Sequence, residues 1–160
     1  MGHVTRCIAL ANALRLQGSN ISFVTNNLQG DALSILHREG FQTRLLVKPA
    51  IDDETTLSEQ DAQTVISEAK ISSATCVLVD HYGIDEEYVR LLEEAGLLVG
   101  LVDDLARHDM KSVAWLLNQN LGASSLLYSN SKVPITLFGP KYALLRQEFA
   151  GARTKSLRKF

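Results

Sequence analysis

The chain has 160 residues, of which 46% are hydrophobic and 21% are charged, a composition typical of one globular domain. Its 16 basic and 18 acidic residues give a formal net charge of −2 with no basic stripe, so nucleic acid is not an expected partner. The longest apolar runs, such as "LLVGLV", are too short to span a bilayer, and "MGHVTRC" has no signal-peptide pattern. We therefore expect a cytoplasmic protein without a membrane partner.

The first third of the chain alternates between helical and strand periods. Val4, Ile8, Ala11 and Leu14 recur at helical spacing, and Gly18 follows as a helix stop. The stretch "NISFVTN" predicts a strand, "GDALSILHREG" a helix and "FQTRLLV" a second strand.

The same alternation continues through the rest of the chain. Ser58 is the expected cap of a helix from Glu59 to about Ala69, and Asp61 makes the sequence a near miss of the capping box. The apolar run "CVLVD" predicts a strand buried on both faces, "DEEYVRLLEEAG" a helix, and "LLVGLVDD" another buried strand, with "AWLLNQN" as one more candidate. Cys7 and Cys76 fit small buried hydrophobic positions better than a disulfide or a metal site.

Strands and helices in alternation predict an α/β fold with a Rossmann-like, doubly wound parallel sheet. The opening helix is the one that normally follows the first strand, which lies in the middle of such a sheet. Without that strand the sheet would split, unless upstream residues, a strand from a partner chain or direct pairing of the flanking strands filled the gap. We assign residues 1–150 to this domain and the basic tail 151–160 to a linker or domain boundary.

Polar residues cluster where ligands bind in such sheets, at the carboxyl ends of the strands. The clusters are Gly2-His3, Asp80-His81-Tyr82, Asp103-Asp104 and Asn118-Gln119-Asn120. Of these, the Gly-His pair stands at the start of a helix, where the positive end of the helix dipole favours a neutral imidazole. A neutral imidazole can activate water as a base, whereas the structural alternative is a histidine that only caps or packs beside the first turn.

The paired aspartates could in principle hold a divalent metal. Neighbouring strand residues point to opposite faces, so at most one of Asp103 and Asp104 is expected to enter a site. The sequence has neither a Gly-x-Gly-x-x-Gly nor a Walker pattern, and no nucleophile elbow. We therefore expect no metal and no cofactor.

Five stretches in order, "GHVTRCIALANAL", "VLVDHYGID", "VDDLARHD", "LLNQN" and "FGPKYALLRQEF", resemble the N-terminal half of one family. This family comprises the UDP-sugar hydrolases of pseudaminic acid biosynthesis, and related spore-coat polysaccharide proteins share the pattern. The resemblance implies the N-terminal half of a GT-B fold, in which two Rossmann-like domains enclose a UDP-aminosugar. The implied reaction releases UDP from a UDP-diacetamido-trideoxyhexose by attack of water at the anomeric carbon, without a metal.

The resemblance also implies roles for individual residues. His3 matches the family's Gly-His and is the implied base. The implied substrate-binding residues are Gly2, Arg6, Tyr82, Asn118 and Arg146. The implied structural or orienting residues are Asp80, His81, Asp103 and Asp104.

UDP binding in this family belongs mainly to the C-terminal domain, which the resemblance does not cover. We therefore expect little activity from this chain alone and a separate UDP-binding domain as a partner. The alternative is a non-catalytic domain that forms a strand-exchanged homodimer or binds another protein through an open strand edge.

Overall fold

The computed structural model describes residues 2–26, 32–46, 57–106, 113–128 and 132–149. Helices and strands alternate along these residues as the sequence predicts. They are α1 (Gly2–Leu16), β1 (Ser22–Thr25), α2 (Ala32–Arg38), β2 (Gln42–Leu45), α3 (Glu59–Ser72), β3 (Cys76–Val79), α4 (Glu86–Glu94), β4 (Leu98–Val102), β5 (Trp115–Asn118) and β6 (Ile135–Phe138). Single 3₁₀ turns lie at Ser125–Tyr128 and Pro140–Tyr142. The strand β6 was not predicted, and the predicted linker 151–160 lies outside the described residues.

All strand pairings are parallel, which confirms the α/β class and the Rossmann-like architecture. The strands form two groups, a pair β1-β2 and a four-stranded sheet in the order β3-β4-β5-β6. Among the described strands, β1 pairs only with β2 and β3 pairs only with β4, so each of β1 and β3 has one edge without a partner strand. The predicted split of the sheet is therefore confirmed, and within the described residues β1 and β3 do not pair directly with each other.

Local sequence signals fix the ends of several helices. At α3 the Ser58 N–H donates to Asp61 Oδ2 over 2.9 Å, and the Asp61 N–H donates to Ser58 Oγ over 3.2 Å. This is a complete capping box, so our description of it as a near miss was wrong. The aspartate side chain is shorter than the glutamate of the usual motif, but it still accepts the hydrogen bond from the backbone N–H of the N-cap residue. Asp85 caps α4 through the Tyr88 N–H at 2.8 Å.

Two apolar clusters hold the fold together. The larger packs α3 and α4 against one face of the four-stranded sheet, where Val99, Leu101 and Leu116 are almost completely buried. The smaller joins α1 to α2 and the β1-β2 pair through Ile8 and Leu36. Within the described residues, no helix combines the length and apolar character needed to cross a bilayer.

The strand β3 differs from its sequence-based expectation. Cys76 is exposed, and Val77 and Leu78 are only partly buried. In the neighbouring strand β4, residues 99–102 are all buried. Our prediction that "CVLVD" is buried on both faces, with Cys76 as a buried hydrophobe, was wrong, because one edge of β3 has no neighbouring strand among the described residues.

Candidate active site

Side chains from α1 meet the carboxyl ends of β3 and β4. His3 and Arg6 lie three residues apart in the first turns of α1, so they share one face of the helix. Asp80 directly follows β3, and Asp104 lies in the segment after β4. The parallel sheet brings both carboxylates to the same rim, where the helix begins.

The shortest contact of His3 is with a carboxylate. Its Nδ1 lies 2.6 Å from Asp80 Oδ1, while its side chain remains 37% exposed. Arg6 Nη2 also lies 3.1 Å from the same nitrogen, which would suit an unprotonated Nδ1. The carboxylate contact decides the tautomer, because two lone pairs 2.6 Å apart would repel each other. If the ring is neutral, Nδ1 therefore carries the proton and Nε2 has the lone pair.

Arg6 joins the two carboxylates. Its Nε donates to Asp80 Oδ2 at 2.6 Å, and its Nη2 donates to Asp80 Oδ1 in a bidentate pair. Its Nη1 donates to Asp104 Oδ2. The side chain is only 11% exposed. Direct substrate contact by Arg6 stays a prediction, whereas the observed contacts fix the positions of two acidic residues.

The charges of this cluster favour an ionised Asp80. Burial raises the pKa of Asp80, but hydrogen bonds from Arg6 and His3 outweigh it and leave the pKa below its ordinary value. Burial lowers the pKa of Arg6, and the bonds to Asp80 and Asp104 more than reverse this effect. The Cys7 thiol donates to Asp80 Oδ2 at 3.3 Å, and burial together with Asp80 raises its pKa. Cys7 is therefore a protonated thiol that supports the carboxylate.

Tyr82 and His81 follow Asp80 in the turn after β3. The Tyr82 ring contacts the His3 ring edge to face, with 4.8 Å between the ring centroids. Tyr82 is a large exposed residue, so its side chain offers an accessible surface beside the imidazole. His81 Nδ1 accepts the Gly83 N–H at 3.0 Å, which shapes the turn. Burial and the proximity of His3 lower the pKa of His81, so this ring is neutral.

The polar residues after β4 and β5 form a buried network. Asn118, which is 2% exposed, donates from Nδ2 to the Tyr128 hydroxyl at 2.9 Å and accepts the Asn120 N–H at 3.1 Å. The Tyr128 hydroxyl donates to the Asp103 carbonyl at 3.0 Å, and burial raises the pKa of this tyrosine to about 12. Asn118 thus uses its amide inside the protein, and its contact with a substrate stays a prediction.

The remaining predicted residues lie apart from the His3 cluster or on open surface. Gly2 begins α1, and a Cβ placed there would meet nothing within 4 Å, so the space beside it is open. Arg146 pairs with Glu148 at 2.8 Å and lies over the Phe149 ring at 5.2 Å. These are contacts with its own neighbours in the chain, and the substrate-binding role of Arg146 stays a prediction.

Sequence reasoning named Arg6 as a substrate-binding residue but missed its bonds to Asp80 and Asp104, and it missed the contact of Cys7 with Asp80. Arg6 could have been recognised as a partner of the strand-end acids, because it follows His3 by three residues on the same helix. Cys7 carried no such signal. In addition, Asp104 Oδ1 is buried and has no hydrogen-bond partner among the residues that the structure describes. Among the described residues, no group of three or more acidic, cysteine or histidine side chains is arranged to hold a metal ion.

The arrangement can perform one kind of chemistry directly. The imidazole of His3 lies at an exposed rim of the sheet, and its Nδ1 contacts the ionised carboxylate of Asp80. Arg6 fixes the position of this carboxylate through its own hydrogen bonds. Such an Asp-His pair orients the ring and stabilises the imidazolium that forms when Nε2 takes a proton. The site is therefore suited to general-base catalysis.

No family model matches the sequence. The chain is similar to the uncharacterized protein MJ1062 of Methanocaldococcus jannaschii, with 22% identity over 160 aligned residues. The similarity covers 98% of this chain and 30% of the archaeal protein, so the chain spans less than a third of that relative's length. The name of this relative states no activity.

Proposed function

We propose that the chain is the sugar-facing domain of a nucleotide-sugar hydrolase that releases UDP from a UDP-diacetamido-trideoxyhexose. The observation that carries the proposal is the 2.6 Å contact between His3 Nδ1 and Asp80 Oδ1 at the carboxyl rim of the sheet. The sequence resemblance supplies the substrate class, and the contact supplies a reason for His3 to act as a base.

In the proposed reaction, His3 Nε2 accepts a proton from a water molecule as the water oxygen attacks the anomeric carbon. The bond between that carbon and the β-phosphate oxygen breaks, and its electron pair leaves with UDP. Asp80 stabilises the imidazolium formed in this step, and His3 later returns the proton to solvent.

Two neighbouring features fit a sugar at this rim. The exposed Tyr82 ring beside His3 offers an apolar face and a hydroxyl to a pyranose. The open space at Gly2 lets a ligand approach the first turn of α1 closely. These two residues would orient the sugar, while the UDP group would contact a second domain.

A single Rossmann-like domain gives only one wall of the required cleft. Glycosyl transfer to water needs a site that closes around the sugar and positions one water molecule. We therefore propose that the domain acts together with a UDP-binding domain, on the same polypeptide or a separate one.

The test is a UDP-release assay with the UDP-diacetamido-trideoxyhexose, using the chain alone and together with the UDP-binding domain of a family member. We expect UDP release only in the combination. His3→Ala should reduce kcat at least about a hundredfold, the usual contribution of a general base. The matched control is His37→Ala, because His37 is an exposed histidine on α2.

Two results would contradict the proposal. One is UDP release by the combination that is unchanged in His3→Ala. The other is the absence of UDP release from any combination in which binding of the UDP-sugar is demonstrated by calorimetry.

A further inference from the structure

The backbone that follows β4 is held by side chains from the neighbouring part of the fold. The Asp103 N–H still belongs to the sheet, because it donates to the Leu117 carbonyl at 2.9 Å. Beyond this point side chains supply the donors. The Tyr128 hydroxyl donates to the Asp103 carbonyl at 3.0 Å, and Asn120 Nδ2 donates to the Asp104 carbonyl at 2.8 Å. The peptide groups on both sides of the Asp104 Cα are therefore fixed.

The two donors are themselves joined through Asn118. Its Nδ2 donates to the Tyr128 hydroxyl at 2.9 Å, and its Oδ1 accepts the Asn120 N–H at 3.1 Å. The Tyr128 ring is buried and stacks on Phe138, with 5.0 Å between the ring centroids. The hydroxyl and the amide thus have defined positions before they meet the two carbonyl groups.

Such a network specifies position more than it adds stability. Replacing both partners of a buried hydrogen bond by apolar groups of the same shape is often nearly neutral. A fully satisfied network, in contrast, holds each donor and acceptor in one arrangement. Here the arrangement that is held is that of Asp104, whose Oδ2 accepts from Arg6 Nη1.

The contact between Asp80 and His3 is sensitive to the position of Arg6. Asp80 Oδ1 accepts from Arg6 Nη2 and also contacts His3 Nδ1, so the two partners share one oxygen. A guanidinium that loses its anchor at Asp104 is free to rotate about the Asp80 carboxylate. Such a rotation changes how much of this oxygen remains for the imidazole.

We propose that Tyr128 and Asn120 are positioning residues for His3. They fix the peptide groups from which the Asp104 carboxylate extends, and that carboxylate anchors one end of Arg6. The other end of the guanidinium then keeps the second carboxylate of the site oriented towards the imidazole. The effect on the histidine tautomer is independent of the reaction catalysed, whereas the effect on catalysis rests on the proposed function.

The test uses two variants of the intact chain. Asn120→Ala removes one donor from an exposed residue, and Tyr128→Phe removes the other donor while it keeps the stacked ring. The matched controls are Asn20→Ala, at an exposed asparagine between α1 and β1, and Tyr142→Phe, in the 3₁₀ turn after β6.

Nitrogen-15 NMR measures the tautomer of the neutral His3 ring, which depends on the hydrogen bond that Nδ1 makes. We expect the Nε2–H tautomer to appear in both variants and in neither control. Asn120→Ala should change the urea denaturation midpoint no more than Asn20→Ala does, which separates positioning from a structural role. In the UDP-release assay with a UDP-binding domain, kcat should fall at least about tenfold while KM is unchanged.

The result for Asn120→Ala is decisive. A wild-type tautomer in this variant, or an equal shift in the controls, would overturn the proposal, and a wild-type tautomer in a folded Tyr128→Phe would remove Tyr128 from it. An Nε2–H ring in the unmodified chain would contradict both the positioning and the proposed base. The expected tautomer shift without UDP release from any combination would support the positioning and contradict only the hydrolase.

Discussion

Replacing Arg6 tests whether the cluster at the rim is a coupled unit. Arg6→Met keeps the length of the side chain and removes its charge, which leaves two carboxylates without their shared cation. The Asp80 side chain is only 5% exposed. Removing one partner of a buried ion pair costs about 3 kcal/mol or more of unfolding free energy. For a domain of this size the same loss lowers Tm by roughly 6–12 °C.

The assay is urea denaturation followed by the fluorescence of Trp115, the only tryptophan in the chain. The matched control is Arg90→Met, whose partners Glu87 and Glu94 lie on an exposed face of α4. Exposed pairs of this kind contribute little, so no measurable loss is expected from the control. If Arg6→Met costs no more stability than Arg90→Met, the reasoning about a buried, coupled cluster is refuted.

The loss should also depend on pH. In the wild-type chain the pKa of Asp80 is lowered, so its bonds contribute stability above its unfolded pKa. Without Arg6 the burial of the carboxyl acts against the charged form. The difference in stability between the two proteins should therefore shrink as the pH falls below about 4, the ordinary range for an aspartate.

Three further predictions concern other parts of the chain. Gly100→Ala would place a Cβ 2.1 Å from Cε2 of the Trp115 ring. We therefore expect the free energy of unfolding, measured by urea denaturation, to fall by about 1–3 kcal/mol, with a shift in tryptophan emission. An unchanged denaturation midpoint would contradict this packing. The stability of the wild-type chain should decline as the pH falls from about 5, and Asp80→Asn should make this decline less steep. Thermal melts across pH measure both proteins. An equally steep decline in the variant would assign the acid sensitivity to other groups. In the native chain a thiol reagent such as DTNB should react rapidly with the exposed Cys76 and slowly with Cys7, and Cys76→Ser should abolish the rapid phase; a rapid phase that persists would contradict this assignment.

Element types were predictable because local periodicity and caps determine them. Ser58 and the glycines after the helices mark boundaries that the structure reproduces within a few residues. The split of the sheet was also predictable, since it follows from where the first helix belongs in a doubly wound order. The exposure of Cys76 was not, because the burial of a strand depends on neighbours that its own sequence does not encode.

The site was predictable as a location and less so as a set of contacts. Parallel topology alone brings His3 and Asp80 to one rim. The sequence could not indicate that Arg6 joins two carboxylates, because that depends on side-chain directions at the ends of two strands. It also placed Asn118 towards the cleft, whereas Tyr128, from an unpredicted 3₁₀ turn, satisfies its amide inside the protein.

The claim on which the proposed chemistry depends most is that the Nδ1 of His3 carries the proton that Asp80 accepts. Nitrogen-15 NMR of the histidine ring measures this tautomer directly in the intact chain, with His3→Ala identifying the signal. We predict the Nδ1–H tautomer for neutral His3, and its partial loss in Asp80→Asn. A neutral His3 ring protonated at Nε2 in the wild-type chain would contradict the Asp-His pair, and with it the role of His3 as the base.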